Sequence, residues 1–180
     1  MPTYPIITLD FEASSLAAKS YPIEIGIAKW DGPGHPILGW SSLIAPPKEW
    51  STNDSWTDHA QSVHKIKPED LNSGLNPSQA MEIANQICGT GIVLCDGGKH
   101  DAFWMSRLVQ SSMIRPTFKL GSWITLLNEL PATQRLKVLS QLEADKPEHR
   151  ARKDAERLLE FFAVAIDRKP FKGSLTLPEG

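Results

Sequence analysis

Two carboxylates separated by one residue end the first hydrophobic run of the chain, in the stretch ITLDFEASSL. Side chains alternate along a strand, so Asp10 and Glu12 are expected to project to one face while Phe11 points to the other. Two ionised carboxylates at this spacing repel each other, and burial makes the repulsion costlier. A divalent cation would offset it, because carboxylate oxygens suit Mg²⁺ and Mn²⁺. Two solvated acids at a strand end would give the same short pattern, so a metal site needs partners from elsewhere in the chain.

Two later segments carry further acids and a histidine. The stretch CDGGKHDAFW places Asp96 and Asp101 where a predicted strand runs into a helix. The stretch PEHRARKDAERLLEFF places His149 at the start of the last predicted helix and Asp154 about one and a half turns inside it. A surface aspartate paired with an arginine at helical spacing is the alternative interpretation of Asp154.

The position of these acids depends on the predicted strands and helices. Apolar patterning predicts strands over 4–11, 22–30, 37–45, 91–96 and 118–121. Helices are predicted over 77–88, from 100 onwards, over 123–143 with a break near Pro131, and over 147–166, with short helical turns at 55–62 and 68–72. A meander followed by alternating helices and strands predicts one α/β domain over 1–180, with a core over about 4–166 and a tail over 168–180.

Composition narrows the class of protein. Of the 180 residues, 41% are hydrophobic and 22% are charged, which is typical of an ordinary globular domain. No apolar run approaches the ~20 residues that cross a bilayer, and no secretory signal is visible, so we expect a cytoplasmic protein without a membrane partner. Cys88 and Cys95 lack metal-site spacing and are expected to be reduced thiols. The net charge of −2 argues against a protein that binds nucleic acid through its overall charge. It does not argue against an enzyme that binds a few phosphates at a local site.

The joint order of these residues resembles the DEDDh 3′–5′ exonucleases. Asp-x-Glu is followed by Asp and then by His-x(4)-Asp, and the segments ITLDFEASSL, PIEIGIA, AQSVHKI and HRARKDAERL each resemble a family segment. The resemblance covers about residues 4 to 166. It implies an α/β fold of the ribonuclease H-like type, with a central five-stranded mixed sheet flanked by helices.

The resemblance also implies roles for individual residues. Two Mg²⁺ (or Mn²⁺) ions would be held by four carboxylates, those of Asp10, Glu12, Asp101 and Asp154. His149 would be the general base and complete the catalytic set. At the substrate's 3′ end, the backbone of Ala13 would meet the terminal hydroxyl and Leu16 would wedge against the last base, unless Leu16 serves only in packing. His64 would line the same groove, or would serve as a structural loop histidine.

One departure from the family pattern concerns the middle motif. The segment DGGKHD at 96–101 lacks the asparagine and the aromatic residue that usually precede the final aspartate. Asp101 is preferred as the ligand because it opens an amphipathic helix. Asp96 is a rival ligand or a supporting acid, and His100 is a competing base.

The implied activity is metal-dependent hydrolysis at the 3′ end of single-stranded DNA, RNA or short oligonucleotides, with release of 5′-mononucleotides. The alternative is a non-catalytic nucleic-acid-binding module, or a proofreading module associated with a polymerase, on the same fold. Some relatives form homodimers, and no segment of this chain demonstrates or excludes such an interface. The motifs are silent on the sugar of the substrate.

Overall fold

The computed structural model describes residues 2–50, 55–166 and 169–177. Its strands are β1 (Ile6–Ala13), β2 (Pro22–Trp30), β3 (Ile37–Leu43), β4 (Ile92–Cys95), β5 (Lys119–Ser122) and β6 (Lys172–Ser174). Its α-helices are α1 (Asp58–His64), α2 (Pro77–Cys88), α3 (Lys99–Ser112), α4 (Trp123–Leu127), α5 (Ala132–Ala144) and α6 (Ala151–Ala165). A 3₁₀ turn covers Pro68–Ser73. No helix in the described part of the chain is long and apolar enough to cross a bilayer.

The strands form one mixed sheet in the order β5-β4-β1-β2-β3-β6. β2 pairs antiparallel with β1 and β3, whereas the pairings of β4 with β1, β5 with β4 and β6 with β3 are parallel. The predicted mixed sheet flanked by helices is confirmed, and the predicted count of five strands is wrong. The sixth strand lies in the tail, where three residues are too few to show alternation. Side chains of another segment hold this strand in place: Arg152 donates to the Gly173 carbonyl at 3.0 Å, and Glu156 pairs with Lys172 at 3.6 Å.

Each face of the sheet is covered by a different set of helices. One hydrophobic cluster joins Leu9 and Phe11 of β1 to α2 and α3, and the other joins Ile6 and the opposite face to α4, α5 and α6. Thr8 confirms this alternation, because its hydroxyl donates to the Ala155 carbonyl of α6 at 2.7 Å. The prediction that Asp10 and Glu12 share a face opposite Phe11 is therefore confirmed, and that face is the one covered by α6.

Helix α6 packs on the sheet at the level of Asp10. Gly26 of β2 is the register partner of Asp10, and a Cβ at Gly26 would lie 2.1 Å from the carbonyl carbon of Ala151. Only glycine allows the first turn of α6 to approach the strand this closely. The sequence predicted the start of this helix at 147, but it begins at Ala151, because His149 has φ of 54° and Arg150 is extended. Asp154 consequently lies in the first turn of α6.

The other predicted elements agree with the structure to within a few residues. Helix α2 has the predicted bounds, and its N-cap Asn76 accepts from the Gln79 backbone N–H at 2.9 Å. The predicted helical segment 123–143 is divided into α4 and α5, with Pro131 immediately before α5. The predicted short turns correspond to α1 and to the 3₁₀ turn.

Candidate active site

A cavity of about 700 Å³ opens at the end of β1. Four segments form its walls: the end of β1 with the residues that follow it, helix α1, the end of β4 with the first turns of α3, and the turn before α6 with the first turns of that helix. Its polar lining comprises Asp10, Glu12, Ser15, Thr57, His59, His64, Asp96, His149, Asp154 and Arg157. Its apolar lining comprises Phe11, Ala13, Leu16, Ala17, Ala60, Val63, Trp104 and Pro147.

The two acids of β1 lie in a strongly acidic environment. Removal from water raises the pKa of Asp10 well above its usual value, and repulsion from Glu12, Asp101, Asp96 and Asp154 raises it further. Burial is also the main cause that raises the pKa of Glu12 to about 8, with repulsion from Asp154 next. In the metal-free protein Glu12 is therefore mostly protonated near pH 7, and a bound cation would displace that proton.

The turn before α6 is built around Asp154. Its two carboxylate oxygens accept the backbone N–H groups of Glu148 at 3.1 Å and His149 at 3.0 Å. His149 has a left-handed backbone conformation, which is costly for a residue with a Cβ and persists only when neighbouring contacts hold it. The same aspartate thus fixes the turn that carries His149 and presents a carboxylate to the cavity.

An ion pair between the buried Glu24 and the half-exposed Arg150 anchors this turn to the sheet. Glu24 of β2 accepts from Arg150 twice, Nε to Oε2 at 3.0 Å and Nη2 to Oε1 at 2.8 Å. Glu24 Oε2 also accepts the backbone N–H of Ala151 at 3.0 Å. Because Glu24 is the register partner of Glu12, the contact ties the turn to the strand next to the acidic pair. Sequence analysis missed Glu24, although an acid on the helix-covered face of an otherwise apolar strand was a signal for it.

Glu12, His149 and Asp154 come together closely enough to hold one metal ion. Each offers a ligand atom, and these atoms lie within 4.8 Å of one another. Two carboxylates and an imidazole form a donor set that fits Mn²⁺, and the carboxylates fit Mg²⁺. Among the described residues, Asp154 does not form the surface ion pair that was the alternative interpretation of it. Arg150 pairs with Glu24 instead, and Arg157 pairs with Asp145.

Asp101 lies beside this cluster but below the cavity surface. It is 1% exposed, and its Oδ2 has no hydrogen-bond partner among the described residues. Burial is the main cause that raises its pKa to about 6, and a hydrogen bond with the Cys95 thiol opposes that rise. A Cβ at Gly97 would lie 2.6 Å from this Oδ2, so glycine leaves the space into which the carboxylate folds. A buried carboxylate oxygen without a partner suits a ligand position.

The rivals named from the sequence occupy different places. Asp96 lines the cavity wall, as a supporting acid or a direct ligand would. His100 instead packs against Trp104, with ring centroids 5.6 Å apart, and is not part of the wall.

The three predicted substrate-binding residues all line the cavity. Leu16 is 73% exposed, which does not fit a packing role within this chain. Ala13 is buried at the end of β1, where a register shift follows Glu12. His64 is buried at the end of α1. Sequence analysis missed the cavity role of Arg157, which is tethered to the end of α5 by a 2.8 Å bond to Asp145.

Comparison with known proteins places the fold. No protein-family model matches the sequence, and no curated protein matches it either. Among solved structures, a full-length 3′-exonuclease aligns with a TM-score of 0.66 at 15% identity, over 92% of this chain and 62% of that one. A 3′-exonuclease described for 3′-end-specific recognition of a histone mRNA stem-loop aligns with a TM-score of 0.65 at 14% identity, over 92% and 84% of the two chains. Exonuclease X, in complex with 5′ overhanging duplex DNA, aligns with a TM-score of 0.55 at 14% identity, over 90% and 91%.

These neighbours confirm the predicted ribonuclease H-like fold, and they are the class of protein that the sequence motifs resemble. The chain spans 62% of the length of the full-length exonuclease.

Proposed function

We propose that this protein is a metal-dependent 3′–5′ exonuclease of the DEDDh type, which removes 5′-mononucleotides from single-stranded DNA, RNA or short oligonucleotides. The observation that carries the proposal is the convergence of Glu12, His149 and Asp154 beside Asp10, in a cavity of a fold shared with 3′-exonucleases. Action in the cytoplasm and without a membrane belongs to the same proposal, and a homodimer is compatible with it.

The carboxylates would hold two Mg²⁺ or Mn²⁺ ions, with Asp10, Glu12, Asp101 and Asp154 as ligands. Such ions, when bound, make a coordinated water more acidic and stabilise the leaving oxygen of a phosphodiester. Burial first, and repulsion between the acids second, raise the pKa of Asp10 and of Glu12, and a bound cation would offset both effects. The unpartnered oxygen of Asp101 supports the ligand set by a separate observation.

His149 would accept the proton of the attacking water. A neutral imidazole presents a nitrogen lone pair that can accept a proton, which suits a histidine to this role. Its turn is held at both ends, by Asp154 on one side and by Glu24 through Arg150 on the other. His149 also lies within ligand distance of the metal-binding group, so its role as base needs a test that separates turnover from metal affinity.

The 3′ end of the substrate would enter the cavity past Leu16. The exposed leucine side chain offers an apolar surface for a base, and the end of β1 at Ala13 offers backbone groups to a terminal hydroxyl. Arg157 lies on the same wall and could face a backbone phosphate.

The test uses matched DNA and RNA oligomers labelled at either end and incubated with Mg²⁺, Mn²⁺ or EDTA. We expect 3′-labelled oligomers to release labelled mononucleotide at once, and 5′-labelled oligomers to shorten one nucleotide at a time. The products should co-migrate with nucleoside 5′-monophosphates, and EDTA should abolish their release. The Asp10→Asn protein, matched in shape, is the inactive control. Absence of cleavage by folded protein that binds Mn²⁺ would favour a nucleic-acid-binding module instead.

A further inference from the structure

The ring of His64 is fixed in one orientation at the base of the cavity. It lies in the last turn of α1 and is 2% exposed. Its Nδ1 accepts the backbone N–H of Ile66 at 3.0 Å, and Trp56 packs against the ring edge-on, with centroids 5.8 Å apart. Trp56 is itself held by a 3.1 Å hydrogen bond from its indole N–H to Gln61. Contacts within the chain therefore settle the position of the imidazole.

The bond from Ile66 also determines which ring nitrogen carries the proton. A nitrogen that accepts a backbone N–H must present its lone pair, so the proton of the neutral ring lies on Nε2. Burial lowers the pKa of His64 to about 4, and repulsion from Arg150 opposes the attraction of Glu24. The ring is therefore neutral at physiological pH and offers one N–H donor.

That donor has no partner among the described residues, although His64 lines the cavity. Buried polar side-chain atoms are nearly always hydrogen-bonded, to protein, water or ligand. The neighbouring wall formed by Leu16, Ala60 and Val63 is apolar and adds no charge. A single uncharged donor beside an apolar wall suits the sugar or base of a nucleotide, whereas sites that bind its phosphate usually present arginine, lysine or several backbone N–H groups.

We propose that Nε2–H of His64 donates a hydrogen bond to an uncharged acceptor on the nucleoside part, sugar or base, of the 3′-terminal nucleotide. His64 is then a substrate-positioning residue and takes no part in proton transfer to water. This inference rests on the proposed function, because it takes a nucleic-acid end as the occupant of the cavity.

The first test reads the tautomer directly. Nitrogen-15 NMR of the imidazole in the full chain should show a protonated Nε2 and an unprotonated Nδ1 from pH 6 to pH 8. Addition of a nucleoside 5′-monophosphate with Mg²⁺ should shift the Nε2 proton. A protonated Nδ1, or an Nε2 proton that does not respond to the nucleotide, would overturn the proposal. This readout does not depend on cleavage, so it separates failure of the inference from failure of the proposed function.

The second test uses two substitutions that divide the functions of the ring. His64→Asn keeps an acceptor near the Nδ1 position for Ile66 and removes the distal donor, whereas His64→Gln carries an amide donor as far as Nε2. We expect the asparagine variant to raise KM about 5- to 10-fold, as loss of one hydrogen bond would, with an unchanged Tm. The glutamine variant should recover most of the loss. A purely structural histidine would give a normal KM in the asparagine variant, and the glutamine variant would then show no KM advantage over it.

The third test finds the acceptor by changing the end of the substrate. Oligomers ending in an abasic, a 2′-deoxy or a 3′-deoxy residue are compared with intact RNA ends in the wild-type and His64→Asn proteins. Disappearance of the KM difference at the abasic end identifies a base acceptor, and its disappearance at a deoxy end identifies a sugar hydroxyl. An equal difference at every end would contradict contact with the nucleoside.

Discussion

Glu24 offers the sharpest test of how the fold prepares the site, because it touches the turn that carries His149 without lining the cavity. The Glu24→Gln protein keeps the side-chain volume but can accept through only one oxygen. Three donors now converge on the carboxylate, two from Arg150 and one from the Ala151 backbone. Arg150 is 48% exposed and can return to water, whereas the N–H of the fully buried Ala151 cannot.

The expected loss of stability comes from the bonds to Arg150, because the remaining amide oxygen can still accept the buried Ala151 N–H. Hydrogen bonds to charged groups contribute roughly 1.5–3 kcal/mol, so we expect a loss of about 2 kcal/mol. For a chain of this length, this corresponds to a fall in Tm of about 4–8 °C. Release of the turn should also displace His149, and a shift of about 1 Å can cost on the order of 100-fold in turnover. We therefore expect kcat to fall 10- to 100-fold.

The affinity for metal should not fall in the Glu24→Gln protein, in contrast to its Tm and its kcat. Glu24 helps to raise the pKa of Glu12 by repulsion, so its neutralisation should lower that pKa and leave Mn²⁺ affinity at pH 7 equal or higher. The assays are thermal unfolding, single-turnover cleavage and calorimetric Mn²⁺ titration. The matched control is Glu156→Gln, since Glu156 is equally buried and bonded to Arg152 of the same helix at 2.6 Å, but lies outside the cavity. Equal turnover in the two variants, or loss of metal from Glu24→Gln, would refute the positioning role.

Three further predictions concern the acids and the base. The pKa of Glu12 is raised from 4.5 to about 8, so the metal-free protein should lose stability as the pH rises from about 5 to 8. The Tm measured in EDTA should fall over that range. At pH 8, Mg²⁺ at 100 times its Kd should stabilise the protein by about 2.7 kcal/mol. Gly97→Ala should displace the Asp101 carboxylate and lower turnover at least 10-fold, whereas Gly91→Ala, which meets open space, should leave it unchanged in the same cleavage assay. His149→Ala should lower turnover at least 100-fold with Mn²⁺ affinity nearly intact by calorimetry, and loss of the metal would show that His149 is a ligand.

Much of the fold follows from local pattern. The alternation of Ile23, Ile25 and Ile27 defined β2 to the residue, and Asn76 with Pro77 defined the start of α2. Both elements carry their own signals, in period and in caps. Strand β6 carries no such signal, since its three residues are held by contacts with Arg152 and Glu156 of α6. The start of α6 also lacks a local signal. Contacts with Asp154 and Glu24 hold the preceding turn, so the helix begins four residues later than the apolar pattern indicates.

The sequence by itself identified the candidate site residues, because their types and their order along the chain are read directly from it. Strand alternation also determined that Asp10 and Glu12 share one face. The tertiary structure decided their environment. It folded Asp101 over Gly97 below the cavity surface, tied the His149 turn to Glu24 across 126 residues of sequence, and left Nε2 of His64 without a partner. These features depend on contacts between segments far apart in the chain, and a local pattern does not encode such contacts.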